Sequence, residues 1–335
     1  MNFIIYLFFY IGSLGAMSKA PASTFVAPEN LGVRTLSFED AKRNRPVVVE
    51  LWYPSAQVGS IDTPPDVAWI HPNEVRDVTI SKGKRPLIVM SHGHGGDRRD
   101  RSWLAEHLVK NGFIVASVEH HGNSWKTYNP LLSLRFWERS RDVSFTIDQL
   151  LKEPGLKTQI DPKRIGFVGY SLGGMTGLSL AGAKAKNVKE IAILLQQQNK
   201  EIELEHIEKI DFTEAHGDFS DKRIKAFVLL SPAAFVFPEQ SLKEVKVPVA
   251  VVASEGDEVL PFKDHAYKVI THMAPKKLKL LREKASHYVY LNRVSERGKE
   301  LLAERIHSDE IQEERVAVHK EVGALSVEFF KEHLK

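Results

Sequence analysis

The chain has 335 residues, 43% of them hydrophobic and 27% charged, which describes a globular protein with a sizeable core and excludes a disordered one. Its 46 basic and 43 acidic residues leave a net charge of +3, too balanced for an electrostatic footprint on nucleic acid. The count of cysteines is 0, so disulfides, thiolate metal sites, a lipoprotein anchor and a cysteine nucleophile are all excluded.

The chain begins with an almost wholly apolar run, residues 3–17 (FIIYLFFYIGSLGAM). That is short for a membrane span, which needs about 20 residues, and suits the core of a signal peptide. Ala16 and Ser18, or Ser18 and Ala20, stand at suitable −3 and −1 positions, although no Lys or Arg precedes the run and Pro21 disfavours cleavage after Ala20. Residues 1–20 are therefore read as an export signal to the periplasm or the exterior, with an uncleaved membrane anchor as the alternative. Residues 21–335 are read as one domain.

Residues 47–53 (VVVELWY) read as a strand closed by Pro54, and 57–84 as a long loop or irregular hairpin. Buried strands are expected at 87–91, 113–118, 165–168, 224–230, 247–253 and 278–282, each a short apolar run bounded by turn residues. Helices are expected at 98–110, 137–151, 172–185, 262–272 and 310–333. Apolar strands alternating with helices predict a mostly parallel sheet covered on both faces. Residues 187–222 break the alternation. They are polar, follow the helix at 172–185, and read as an insertion in the place of a lid.

The strongest local signal is Gly169-Tyr170-Ser171-Leu172-Gly173, a G-x-S-x-G between an expected strand and an expected helix. A serine on so tight a turn needs neighbours without side chains, and its hydroxyl then projects where helix N–H groups favour developing negative charge. A serine also needs a base oriented by an acid, and with this type of turn the chain order is Ser, acid, His. Asp257, presented by Gly256 after the strand at 247–253, is the expected acid, with Glu255 and Glu258 as close rivals. His287, in the loop after the strand at 278–282, is the expected base. The run Ser91-His92-Gly93-His94-Gly95-Gly96 suits an oxyanion loop, with the backbone amides of His94 and Leu172 as donors. His120 and His121, after the strand at 113–118, are expected at the rim as substrate contacts together with Tyr170. No cofactor and no metal are expected, because glycine flanks around His92 and His94 fit an oxyanion loop better than a ligand set.

These segments occur in order: SHGHGG, ERSRDVSFTIDQLL (138–151), DPKRIGFVGYSLGG (161–174), ASEGDEVLP (253–261) and ASHYVYL (285–291), with WYP at 52–54 before them. The set resembles the platelet-activating-factor acetylhydrolase and dienelactone-hydrolase-like group of the α/β-hydrolases, over roughly residues 47–291. The resemblance implies the α/β-hydrolase fold and ester hydrolysis through Ser171, Asp257 and His287, with His94 supplying an oxyanion amide. The implied substrates are small-molecule esters or short-chain and acetylated lipid esters. Peripheral membrane contact, other bonds cleaved by the same triad (amide or thioester), and a non-catalytic binding protein on this fold stay open. Two departures are visible. Dienelactone hydrolases use a cysteine nucleophile, and the strand at 224–230 ends in Ser231-Pro232 without the acid that mammalian-type acetylhydrolases carry there. Adjacent Arg141 and Asp142 match a recurring pair and are expected to form a structural ion pair.

Overall fold

In a computed structural model the described residues are 30–57, 59, 68–198, 203–274, 276–280 and 285–335. The expected signal segment, residues 1–20, lies outside them.

Eight strands form one sheet: β1 Asn30–Asp40, β2 Arg45–Ser55, β3 Arg85–Ser91, β4 Ile114–Glu119, β5 Ile160–Tyr170, β6 Ile224–Leu230, β7 Val249–Ala253 and β8 Lys276–Leu280. Their spatial order is β8-β7-β6-β5-β3-β4-β2-β1, and a two-residue strand, Val75–Arg76, extends the β1 edge. Strand β2 runs antiparallel to both neighbours, and the block from β4 through β3 to β8 is parallel. The expected mostly parallel sheet is therefore present.

The central strands are continuous apolar runs because helices cover both of their faces. Along β3, Leu87 and Val89 enter the core shared with helices α2 (Trp137–Lys152) and α3 (Leu172–Leu180). Ile88 and Met90 point the other way, toward α1 (Ser102–Val109) and the long C-terminal helix α4 (Asp309–His333). Each such buried side chain stabilises the fold by about 1.5–3 kcal/mol, which offsets the cost of the charged groups buried near the site.

Strand β1 was not expected. Its burial alternates along Arg34–Glu39, as an edge strand with one wet face does, so it carries no continuous apolar run. In the expected loop at 57–84, Trp69–Ile70 pairs with Arg293–Val294. The insertion is largely helical, with helices Val188–Gln198 and Leu204–Glu208 and a 3₁₀ turn at Thr213–His216. Its buried Ile207 and Ala215 join the core beside α2, and Phe212 meets Trp137 edge-on at 5.8 Å.

Candidate active site

Chain reversal between β5 and α3 decides where Ser171 sits. Ser171 has φ 55° and ψ −116°, a conformation costly for a residue with a Cβ. The surrounding bonds hold it there. Its N–H donates to Leu230 O at 2.9 Å, and its carbonyl accepts from Gly174 at 2.9 Å and Ala233 at 3.0 Å. The two motif glycines permit the turn sterically. A Cβ on Gly169 would lie 2.1 Å from Gly173 O, and one on Gly173 would lie 2.1 Å from Ser91 O. The second contact also shows how tightly the end of β3 abuts the start of α3. A Cβ on Gly93 would stand 3.3 Å from Ser171 Cβ, so the SHGHGG loop flanks the serine directly.

His287 opens a 3₁₀ turn, His287–Tyr290, after β8. Its Nε2 lies 3.0 Å from Ser171 Oγ and its Nδ1 lies 2.8 Å from Asp257 Oδ2. A carboxylate only accepts, so Nδ1 carries the proton and Nε2 faces the serine hydroxyl as acceptor. The other Asp257 oxygen, Oδ1, accepts from Val259 N at 3.0 Å and Leu260 N at 2.7 Å. Burial acts to raise the Asp257 carboxyl, but the His287 hydrogen bond and charge, with the Leu260 amide and Ser231 hydroxyl, outweigh it and hold the group below the usual carboxylate range. Asp257 and His287 are buried, whereas Ser171 and Leu172 keep partial exposure. Leu172 occupies the first helical position of α3, where the amide has no intrahelical acceptor.

Of the two rival acids, Glu258 serves a different purpose. Its carboxylate accepts from His287 N at 3.0 Å and from Ser286 Oγ at 2.8 Å, tying the histidine loop to the acid loop.

Two expected substrate contacts are corrected by their burial. His120 is fully buried, with Nδ1 2.9 Å from Asp142 Oδ2 and Nε2 2.9 Å from Ser91 Oγ. Both ring nitrogens are engaged inside the protein. Tyr170 is buried behind the turn, lies tilted against the His287 ring at 5.1 Å, and donates its hydroxyl proton to His287 O at 3.0 Å. It braces the histidine and leaves substrate no access. His121 is half-buried, and burial with the Arg45 charge holds its imidazole below the ordinary histidine range, against the pull of Asp142, Glu39 and Glu119. By contrast His94 is exposed, edge-on to Tyr128 at 5.5 Å, with Nδ1 accepting from Asn123 Nδ2 at 3.1 Å.

Comparison with known proteins fits this geometry. A solved ferulic acid esterase from Streptomyces cinnamoneus superposes with a TM-score of 0.62, covering 94% of this chain and 92% of that one at 19% identity. The chain has the α/β-hydrolase fold. Within that fold, a family profile described as platelet-activating factor acetylhydrolase, isoform II, matches residues 71–129 of this chain, which bears out the resemblance read from the motifs. Lipase 1 of Moraxella sp. (strain TA144) is 22% identical over 201 residues, 60% of this chain and 47% of that protein. A bis(hydroxyethyl) terephthalate hydrolase of Streptomyces coelicolor is 22% identical over 188 residues, 56% of this chain and 45% of that protein. The chain thus spans about half the length of these curated relatives.

Beneath the site, the chain carries a polar network that sequence reasoning missed. Asp142 on α2 is fully buried and accepts two bonds from Arg45, at 2.8 and 2.9 Å, one from Arg43 at 2.8 Å, and one from His120. Burial opposes its ionisation, yet His120 and Arg45 hold it well below the usual carboxylate range. Arg141 does not join it, and the expected Arg141–Asp142 pair is corrected. Neighbours on a helix point about 100° apart, so Arg141 turns out to Glu138 at 3.2 Å and Glu214 at 3.0 Å. A signal for the network exists in the sequence. Arg139 and Asp142 occupy i and i+3 on the stripe that continues through Val143, Thr146 and Leu150, where charge is out of place unless it is buried and bonded.

Proposed function

We propose that this protein is a serine hydrolase of carboxylic esters, with Ser171 as nucleophile, His287 as general base and acid, and Asp257 as its orienting carboxylate. The observation that carries this reading is the continuous path from Ser171 Oγ through both ring nitrogens of His287 to Asp257, at 3.0 and 2.8 Å. In the first step His287 Nε2 takes the Ser171 proton as Oγ attacks the ester carbonyl. Asp257 keeps the proton on Nδ1 and stabilises the imidazolium that forms. The amides of Leu172 and His94 receive the oxyanion. The imidazolium returns its proton to the departing alcohol, leaving an acyl-Ser171. Water activated by His287 then releases the carboxylic acid and restores the serine.

The similar proteins named as a lipase, a terephthalate-ester hydrolase and a ferulic acid esterase support an ester bond as the target. Small-molecule esters are the proposed substrate class, with short-chain and acetylated lipid esters within it. The test is hydrolysis of p-nitrophenyl acetate and labelling by a fluorophosphonate probe. The parent should turn over and label. Ser171→Ala should lose both while retaining its circular dichroism, and a Ser171→Ala protein working at the parent rate would end the proposal.

A further inference from the structure

The SHGHGG loop must aim a backbone N–H with little tolerance, and a loop alone holds direction poorly. Here its peptide planes are fastened from behind. In a trans peptide the carbonyl and the following N–H point in opposite directions. Gly93 O accepts from His92 Nδ1 at 2.7 Å and from Gly96 N at 3.3 Å, so the N–H of His94 is turned to the opposite side of that plane. His92 is itself fixed, because its Nε2 accepts from His120 N at 3.1 Å.

One guanidinium closes the arrangement. Arg139, on α2 and 2% exposed, donates through Nη2 to His92 O and to Ser91 Oγ at 3.2 Å. Its Nη1 donates to Asn123 Oδ1 at 2.5 Å, and its Nε to Thr176 Oγ1 at 3.2 Å, on the helix that begins at the nucleophile. A guanidinium can only donate, and that sets the direction of every bond beyond it. Asn123 must present its oxygen to Arg139, so its NH₂ faces His94 Nδ1. Ser91 Oγ receives from Arg139 and passes its own proton to His120 Nε2, and His120 Nδ1 donates to Asp142. Ser91, His120 and Asp142 thus repeat the atom order of Ser171, His287 and Asp257, but sealed from solvent at 0% exposure. There the order serves to hold and not to react.

We propose that Arg139 is a positioning residue for the oxyanion donor, holding the SHGHGG loop in register with the nucleophile helix through His92 O, Asn123 and Thr176. The inference rests on the Ser171 reading above. Its planar fork, and not charge alone, is what the geometry uses, since four acceptors in different directions are engaged at once.

The test compares Arg139→Lys, which keeps a charge without the fork, and Asn123→Ala, which removes one of the four acceptors of Arg139 together with the link to His94, with the parent and Ser171→Ala. The readouts are kcat and KM for p-nitrophenyl acetate, melting temperature, and inhibition by a trifluoromethyl ketone, whose hemiketal oxyanion needs the same donor. Loss of one oxyanion donor costs about 10²–10³ in rate. Arg139→Lys should lose about that factor in kcat with KM within about threefold, and its affinity for the ketone should fall in parallel. Asn123→Ala should lose about tenfold by the same pattern, which keeps the test decisive if Arg139→Lys fails to fold. Parent kcat and parent ketone affinity in a folded Arg139→Lys or Asn123→Ala, beside an inactive Ser171→Ala, would overturn this inference alone. Full activity in Ser171→Ala would overturn it together with the hydrolase reading.

Discussion

At the scale of single residues, the site separates into side chains that would touch substrate and side chains that aim them. Ser171 belongs to the first group. Asp257, Tyr170 and Glu258 belong to the second, each acting on His287 at a different atom: Nδ1, the carbonyl and the amide. The Glu258 latch is the most testable of the three because Glu258 is exposed and its loss leaves no cavity. A hydrogen bond of this kind contributes about 1 kcal/mol net, equivalent to about fivefold in rate. Glu258→Ala should therefore lower kcat by about fivefold with KM unchanged, as the histidine loop spends less time in place. Glu258→Gln keeps an acceptor oxygen for the His287 amide and should recover most of that loss. Steady-state kinetics of the pair on one ester decide it, and equal kcat in the parent and Glu258→Ala would show that the latch is idle.

At the scale of elements, the sequence disclosed what repeats and hid what is singular. Strands β3, β5, β6 and β7 were legible because a strand buried on both faces must be apolar throughout, and the turn at Ser171 was legible because its steric demand leaves glycines in fixed places. Edge strand β1 was not, since one wet face breaks the run. His120 was misread because the end of a parallel strand is where substrate groups gather. The orientation that sends it inward is set by Asp142, distant in sequence and on another element. The same logic hid Arg139, whose role exists only once α2 lies under the SHGHGG loop. What joins these elements is the near contact of α3 with the end of β3, and it gives a sharp expectation. In Gly173→Ala the new methyl meets backbone at Ser91 O, which cannot swing aside as a side chain can. Overpacking of this kind costs about 1–3 kcal/mol. The variant should melt several degrees lower and should label slowly with a fluorophosphonate, because relief of the clash separates the serine from the SHGHGG loop. A melting curve and labelling rate matching the parent would mean that the two elements slide apart freely.

At the scale of the whole molecule, the fold buries histidines as neutral groups, and this sets how it responds to acid. Burial, then the Arg139 and His120 charges, drive His92 well below 6.5, while burial and Arg139 push His120 down to about 3 against the pull of Asp142. His319, stacked on Trp103 at 3.9 Å, is likewise lowered to about 3, chiefly by burial. A folded-state value below the unfolded one near 6.5 means that the unfolded chain binds more protons in between, so stability rises with pH there and is lost as pH falls. Each such histidine contributes a slope of about 1.4 kcal/mol per pH unit. Burial raises Asp100 to about 6 and raises Glu74 as well, and these act with the opposite sign, because between about pH 4 and 6 it is the folded state that holds their protons. His107, His121 and His265 are lowered as well, so two raised carboxyls against six lowered histidines leave a net loss of stability on acidification that begins near pH 6.5, above the range where Asp142 and Asp257 protonate. His319, on α4, donates through Nε2 to the carbonyl of Leu291 at 2.9 Å, the residue that closes the His287 turn, so its test reads stability and not activity. His319→Gln should be less stable than the parent at pH 7, and the gap should close by about 1.4 kcal/mol for each pH unit descended toward pH 4, because the variant no longer takes up that proton on unfolding. Urea denaturation of both proteins at pH 7, 6, 5 and 4 reads this directly. Parallel stability curves would show that His319 keeps its ordinary titration despite its burial against Trp103.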